Sequence, residues 1–426
     1  MPHPTTLSAW LALLESRHPR TIDLGLERVA AVWERMDRPQ PAAKLFTIAG
    51  TNGKGSTVAY INAMLMALGY RCGSYTSPHI LRYNERVQIQ GEMVSDQDLI
   101  QAFARVEAAR GDISLSYFEF GTLAAFVLLS QAELDFAVLE VGLGGRLDAV
   151  NILDTDCAVI TPIGLDHQEY LGTDLQTIGF EKAGIIRAGR PVICGEPNPP
   201  QSLMEFARHT GADPRRLGRE FRVAAHAAAY DWQQDSHTLP LPRPSMAGMH
   251  QVNNMATAVA AVAAVVPGAL DSPEKLYQGL KSVTVTGRLH PSADCPRVWL
   301  DVGHNPHAAQ AVAAALRELR LRPVSCVLGM LRDKDAPAVA AALNPCVQKW
   351  YCAGIGGDRG RSGADLAREV MQASRPGRTR NFPDVASALH AALEDSAPDE
   401  NILVFGSFVT VAEAMAFLAV WALACD

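Results

Sequence analysis

A chain of 426 residues, 48% hydrophobic and 19% charged, has enough material for two α/β domains and is too apolar to be disordered. Its net charge of −7, with no lysine or arginine block and no basic stripe interleaved with aromatics, argues against nucleic acid as a partner. The eight cysteines are scattered without a C-x-x-C pair, the first ten residues lack a secretory pattern, and the apolar stretch 412–424 is too short for a bilayer span, so a cytoplasmic protein with no membrane partner is expected.

The first clear element is the apolar run 45–49, which predicts a strand. It leads into Gly50-Thr51-Asn52-Gly53-Lys54-Gly55-Ser56 and a helix expected over 55–68. Glycines let backbone N–H groups close around phosphate oxygens, Lys54 can reach terminal phosphates, and the helix start adds a favourable field. ATP or GTP is the ligand this construction suits. The spacing is not G-x-x-x-x-G-K-[ST], because that pattern needs glycine where Ile48 stands and a hydroxyl where Gly55 stands.

Further strands are predicted near 71–76, 136–141, 158–163 and 191–194, with helices near 96–110, 117–131 and 174–183. Ser95 to Asp98 and Ser116 to Glu119 have the spacing of capping boxes. This alternation predicts a mainly parallel sheet. Residues 213–250 are poor in periodic pattern and read as an excursion of the first domain, followed by an alanine-rich helix near 253–266. The proline-bearing link 290–296 marks a boundary, giving domains 1–289 and 297–426. Strands near 298–301, 324–329, 349–353 and 402–406 repeat the rhythm. The expected fold is α/β: a P-loop-containing N-terminal ATP-binding domain with a mainly parallel sheet, plus a smaller Rossmann-like α/β C-terminal domain.

Ligands of parallel sheets collect at the carboxyl ends of strands. Four such ends carry Lys54 and Ser56, then Ser77, then Glu140, then Asp166 and His167. A serine hydroxyl, a carboxylate and an imidazole beside a phosphate loop would suit a divalent cation bridging ATP oxygens. Ser77 and His167 read equally well as turn and surface residues, whereas Glu140 in an apolar strand needs a partner. The turn from Gly142 to Gly145 fails the dinucleotide pattern, since Leu147 stands where its last glycine belongs. Farther on, Asp301 ends a strand, and Asn305-Pro306 suits a helix cap and first turn. Asp301 and His304 are the stronger ligand candidates there.

These motifs, with Ser77-Pro78-His79, the run Glu140 to Ala149, Leu165-Asp166-His167, Glu181 to Gly184, Gly287-Arg288, the run Asp301 to His307, and Gly406-Ser407-Phe408, resemble the folylpolyglutamate synthase and dihydrofolate synthase family within the Mur ligase superfamily. The resemblance implies an ATP-dependent ligase that activates a folate-type carboxylate as an acyl phosphate and joins it to the amine of L-glutamate. It implies Mg²⁺, two ions, with Ser77, Glu140 and His167 as ligands. It also implies carbamylation of Lys182, which residue chemistry alone reads as a solvated helix lysine. Lys54, Lys182 and His304 are then catalytic. Gly50 to Ser56, Asn253 or Asn254, Arg288 and Asp301 contact ATP. Ile22, Asp23, Leu24, Ser116, Arg146, Leu147, Asp148, Ala149 and Ser407 contact substrate. The segment 21–26, with Ser116 and 146–149, resembles the dihydropteroate-binding segments of bifunctional members, so the expected substrates are 7,8-dihydropteroate and reduced folates together with glutamate. Ser116 and Asp23 read equally as helix-start residues.

Three alternatives stand beside this reading: a monofunctional folylpolyglutamate synthase, another Mur-type amino-acid ligase, and a nucleotide-binding regulatory protein. A cell-wall Mur ligase would carry a front domain, and only 49 residues precede Gly50. A regulatory protein would not need the Asp301 to His307 cluster. With no apolar zipper in the pattern, a monomer is expected.

Overall fold

In the first sheet the apolar runs become strands buried on both faces, as parallel strands flanked by helices must be. The structure is a computed structural model that describes residues 4–17, 23–226, 229–374 and 377–425. It separates into two units, one of 1–164, 169–243 and 252–283, the other of 165–168, 244–251 and 284–426.

The first unit holds β1 (Lys44–Ala49), β2 (Cys72–Tyr75), β3 (Val87–Ile89), β4 (Glu92–Met93), β5 (Phe136–Glu140), β6 (Cys157–Ile160), β7 (Val192–Cys194) and β8 (Pro214–Arg216) in one sheet. Their order is β4-β3-β2-β5-β1-β6-β7-β8, parallel from β2 to β8 with the short β3–β4 hairpin antiparallel at one edge. β1 lies between β5 and β6, with Ile48 level with Glu140 on one side and Val159 on the other. The carboxyl ends bearing the phosphate loop, Ser77 and Glu140 therefore belong to neighbouring strands. Helices Asp96–Arg110 and Tyr117–Gln131 begin at the expected residues because both capping boxes form, with Ser95 and Ser116 accepting from backbone N–H groups. An aromatic cluster of Trp10, Trp33, Phe103, Phe120 and Phe126 joins helices Leu7–Arg17 and Glu27–Arg35 to them. Each such burial contributes roughly 1.5–3 kcal/mol.

Two expectations change here. The strand expected over 158–163 stops at Ile160, because Thr161 and Pro162 leave the sheet and the Pro162 carbonyl accepts the Thr51 N–H at 2.9 Å. The pattern-poor region contains a three-stranded antiparallel sheet of β9 (Arg222–Ala225), β10 (Tyr230–Gln234) and β11 (His237–Leu241). Trp232 is its buried anchor, while most neighbouring side chains are half-buried or exposed, so little apolar alternation marks the strands.

The second unit holds β12 (Arg288–Pro291), β13 (Val298–Asp301), β14 (Val324–Leu328), β15 (Val347–Ala353), β16 (Thr379–Phe382) and β17 (Ile402–Phe405), ordered β12-β13-β17-β14-β15-β16. All pairings are parallel except that of β12 with β13. The link read as a boundary thus begins inside a strand of the second sheet, β12, and the last division between the two units falls at 283/284. Asp301 and Leu328 both lie level with Phe405, so the turns after β13, β14 and β17 leave the sheet side by side.

Candidate active site

At the phosphate loop in the first unit, Gly53 takes a φ of +91°, which an L side chain rarely adopts, and helix Lys54–Leu68 starts immediately after it. Thr51 pins the loop from below: its hydroxyl donates to the Gly164 carbonyl and accepts from the Gly164 N–H, both at 3.0 Å. Lys54 Nζ lies 3.1 Å from the Gly50 carbonyl and 3.3 Å from that of Thr51. Ser56 is fully buried and its hydroxyl has no hydrogen-bond partner among the described residues, an orphan that a ligand oxygen would satisfy. Asn254, also buried, packs its side-chain oxygen 2.5 Å from where a Cβ on Gly53 would stand. That approach to Gly53 puts the Asn254 side chain at the loop.

Glu140 is buried at the end of β5 and accepts the Ser77 N–H at 3.2 Å, which brings these two expected metal ligands together. Their oxygens form the hard donor set that Mg²⁺ prefers. Lys182 overturns its solvated reading. It is 3% exposed and donates to the Gly50 carbonyl at 3.0 Å. The reason lies in the Gly142–Gly145 turn, whose backbone comes so close to helix Leu175–Ala183 that a Cβ on Gly145 would stand 2.8 Å from the Glu181 carbonyl. Arg146 fastens the same contact by binding Glu181 at 2.8 Å.

The expected pterin residues fall into two groups. Asp23 pairs with Arg28 at 2.9 Å, and Arg28 also binds Glu119 at 2.8 Å, the acid whose carboxylate accepts the Ser116 N–H. Asp23 and Ser116 are thereby linked; Leu24 is half-buried beside Asp23, and Ile22 lies outside the described residues. The second group is the turn of Arg146, Leu147, Asp148 and Ala149. Asp148 accepts the N–H groups of Leu143 and Val150, and burial raises its carboxyl to about 6 against the opposing charge of Lys54.

In the second unit Asp166 is the hub. Its carboxylate meets Lys334 Nζ at 2.6 Å, Asn305 Nδ2 at 3.0 Å and His304 Nε2 at 3.2 Å. Burial opposes its charge, but the His304 hydrogen bond and the charges of His304, His167 and Lys334 hold the carboxyl far below its ordinary value. The ligand atoms of Asp166, His167 and His304 lie within 4.8 Å of one another. His304 Nδ1 is 3.0 Å from the Val302 carbonyl, so both ring nitrogens face acceptors. Asn305 does two jobs: its oxygen caps helix Pro306–Glu318 through the Ala308 N–H, and its amide binds Asp166. Asp301 is buried opposite Arg288 in the β12–β13 register, with its carboxyl raised to about 6 by burial. Ser407 is buried and accepts the Thr410 N–H at 3.0 Å as a cap of helix Phe408–Cys425.

Residue reading had noticed Asp166 at a strand end without giving it a role, and it missed Lys334 altogether. The run Asp333-Lys334-Asp335 after a strand was the available signal.

Family models for the Mur ligase middle domain and the Mur ligase glutamate ligase domain match residues 48–262 and 287–408. The dihydrofolate synthase/folylpolyglutamate synthase of Escherichia coli (strain K12) is 44% identical over 415 residues, covering 96% of this chain and 94% of its own. The chain belongs to the dihydrofolate synthase/folylpolyglutamate synthase family of Mur ligases. Two solved members of that family show the same fold. E. coli FolC in complex with DHPP and ADP matches with a TM-score of 0.92 at 42% identity, over 99% of this chain and 100% of that one. A bifunctional folylpolyglutamate synthase/dihydrofolate synthase with Mn, AMPPNP and L-glutamate bound matches with a TM-score of 0.89 at 43% identity, over 98% and 99%.

Proposed function

We propose that this protein is an ATP-dependent carbon–nitrogen ligase joining L-glutamate to 7,8-dihydropteroate and to reduced folates. The observation that carries the reading is the Gly50–Ser56 loop, with Lys54 at its centre and an unpartnered buried hydroxyl at Ser56, in a chain of this family. A carboxylate is a poor electrophile. Its oxygen attacks the γ-phosphorus of ATP, ADP leaves, and the product is an acyl phosphate. The glutamate amine then attacks the acyl carbon, the C–N bond forms, the C–O bond to phosphate breaks, and the amine proton is lost. Lys54 and the loop N–H groups hold the transferring phosphoryl by position and charge.

In this reading Ser77, Glu140 and His167 hold Mg²⁺, and Lys182, as a carbamate, supports a second ion. The cation supplies charge neutralisation at the phosphates. Asn254, Arg288 and Asp301 attend the nucleotide, His304 is catalytic together with Lys54 and Lys182, Ser407 contacts substrate, and Asp23, Leu24, Ser116 and 146–149 contact the pterin. The roles belong to two structural domains, an ATP- and pterin-binding one and a glutamate-ligase one. A monomeric, cytoplasmic enzyme completes the proposal. No helix among the described residues is long and apolar enough to cross a membrane.

The test is product mass after incubation with Mg-ATP and L-glutamate, offering 7,8-dihydropteroate in one reaction and a reduced folate monoglutamate in another. Products in both are expected. Product with reduced folate alone would remove the pterin roles of Asp23 and Ser116, and product in neither would overturn the ligase assignment.

A further inference from the structure

Asp166, His167 and His304 have the spacing of a metal site, yet the Asp166 carboxylate already holds a cation. The Lys334 ammonium is 2.6 Å away, and both side chains are shielded, 6% exposed for Lys334 and 9% for Asp166. A buried ion pair persists only where geometry and further hydrogen bonds complete it. Both conditions are met. Asn305 and His304 occupy the other carboxylate oxygen, while Arg361, itself 6% exposed, donates to the carbonyls of Arg332 and Lys334 at 2.8 and 2.9 Å. Arg361 is in turn held by Glu369 at 2.8 Å. The loop after β14 is therefore built to present the Lys334 ammonium to Asp166 at 2.6 Å, with the Asp333 carboxylate farther off at 3.7 Å.

We infer that Lys334 is a positioning residue for the ligase reaction: by fixing the Asp166 carboxylate it sets the orientation of the His304 imidazole and of Asn305 at the start of helix Pro306–Glu318. The inference rests on the proposed role of His304. With its two ring nitrogens facing Asp166 and the Val302 carbonyl, His304 can turn only by giving up one of them. Removing Lys334 takes its fixed charge from the carboxylate and leaves three neighbours, Asn305, His304 and the His167 backbone N–H that donates to Oδ1 at 2.8 Å. Without the ammonium the carboxylate is held less firmly, and His304 loses its guide.

The experiment compares wild type with Lys334→Met, Lys334→Arg, Asp166→Asn and the double variant Asp166→Asn/Lys334→Met. Steady-state kinetics are measured for each substrate, and the His304 imidazole signals are read by NMR in histidine-labelled protein. Circular dichroism melts establish folding, and Lys334→Gln replaces Lys334→Met should the latter not fold. The expected result is a fall of about 10–100-fold in kcat for Lys334→Met, as for other supporting residues of a site, with each KM within about threefold. Lys334→Arg recovers most of that loss, the double variant is no slower than the slower single variant, and the His304 signals move in Lys334→Met. Unmoved His304 signals overturn the inference, as do additive losses. A rise confined to the KM for glutamate also overturns it, by making Lys334 a substrate contact. The NMR comparison needs no turnover, so it decides the inference even if wild type forms no amide, the result that would instead defeat the proposed function.

Discussion

Gly53 shows how narrowly the phosphate loop is specified. Its φ of +91° and the Asn254 oxygen beside it leave no room for a side chain. Gly53→Ala is expected to cost about 1–2 kcal/mol of stability from backbone conformation alone and to weaken Mg-ATP binding, checked by denaturant unfolding and by calorimetric titration. Asp301 gives a pH signature. Its ordinary value is 3.8 and its folded value about 6, so the folded protein keeps a proton that the unfolded chain releases across that window. The stability from this group is fully present below about pH 4 and is lost as pH rises through about 6. The unfolding free energy of wild type minus that of Asp301→Asn should fall across this range by at most about 3 kcal/mol, whereas a rise would refute the burial argument. At this scale the sequence was unequally legible. The loop from Gly50 to Ser56 is contiguous, so its chemistry could be read directly. Lys182 could not, because its burial depends on the approach of Gly145 from another part of the chain, and Lys334 meets Asp166 across 168 positions.

Helices announce themselves by their ends. Both capping boxes formed at the residues that suggested them, since the hydrogen bonds involved span three positions and need nothing from afar. The Ser116 cap makes a prediction that separates its two roles. Ser116→Ala should lose roughly 0.5–2 kcal/mol in chemical denaturation as a cap alone. A pterin contact would in addition raise the KM for dihydropteroate, while glutamate KM stays unchanged. The antiparallel sheet β9–β11 was illegible for the opposite reason: its strands are short and half-exposed, and only Trp232 and the inward leucines of β11 mark a buried face. Four parallel strands of the second sheet, β13, β14, β15 and β17, were read from the sequence, while the half-exposed parallel edge strand β16 was not. The other edge strand, β12, was not read as a strand, and it straddles the end of the expected first domain and the link 290–296, because antiparallel pairing with β13 leaves no local mark that distinguishes it from a linker.

For the whole molecule, a ligand that binds only the folded state must raise its stability by mass action. A nonhydrolysable ATP analogue with Mg²⁺, at about a hundred times its Kd, should stabilise wild type by about 2.7 kcal/mol, read as a higher Tm, and the gain should shrink sharply in Lys54→Met. An equal gain in that variant would remove Lys54 from the nucleotide site. The chain also passes between its two units five times, at 164/165, 168/169, 243/244, 251/252 and 283/284. They are stitched rather than strung. Severing the gene at the last seam would yield a fragment, 284–426, that carries Lys334 and His304 but has left Asp166 behind with the other piece. Neither fragment then carries the Asp166–Lys334 pair whole. A split version of this protein would regain that ion pair only by reassembly of both fragments.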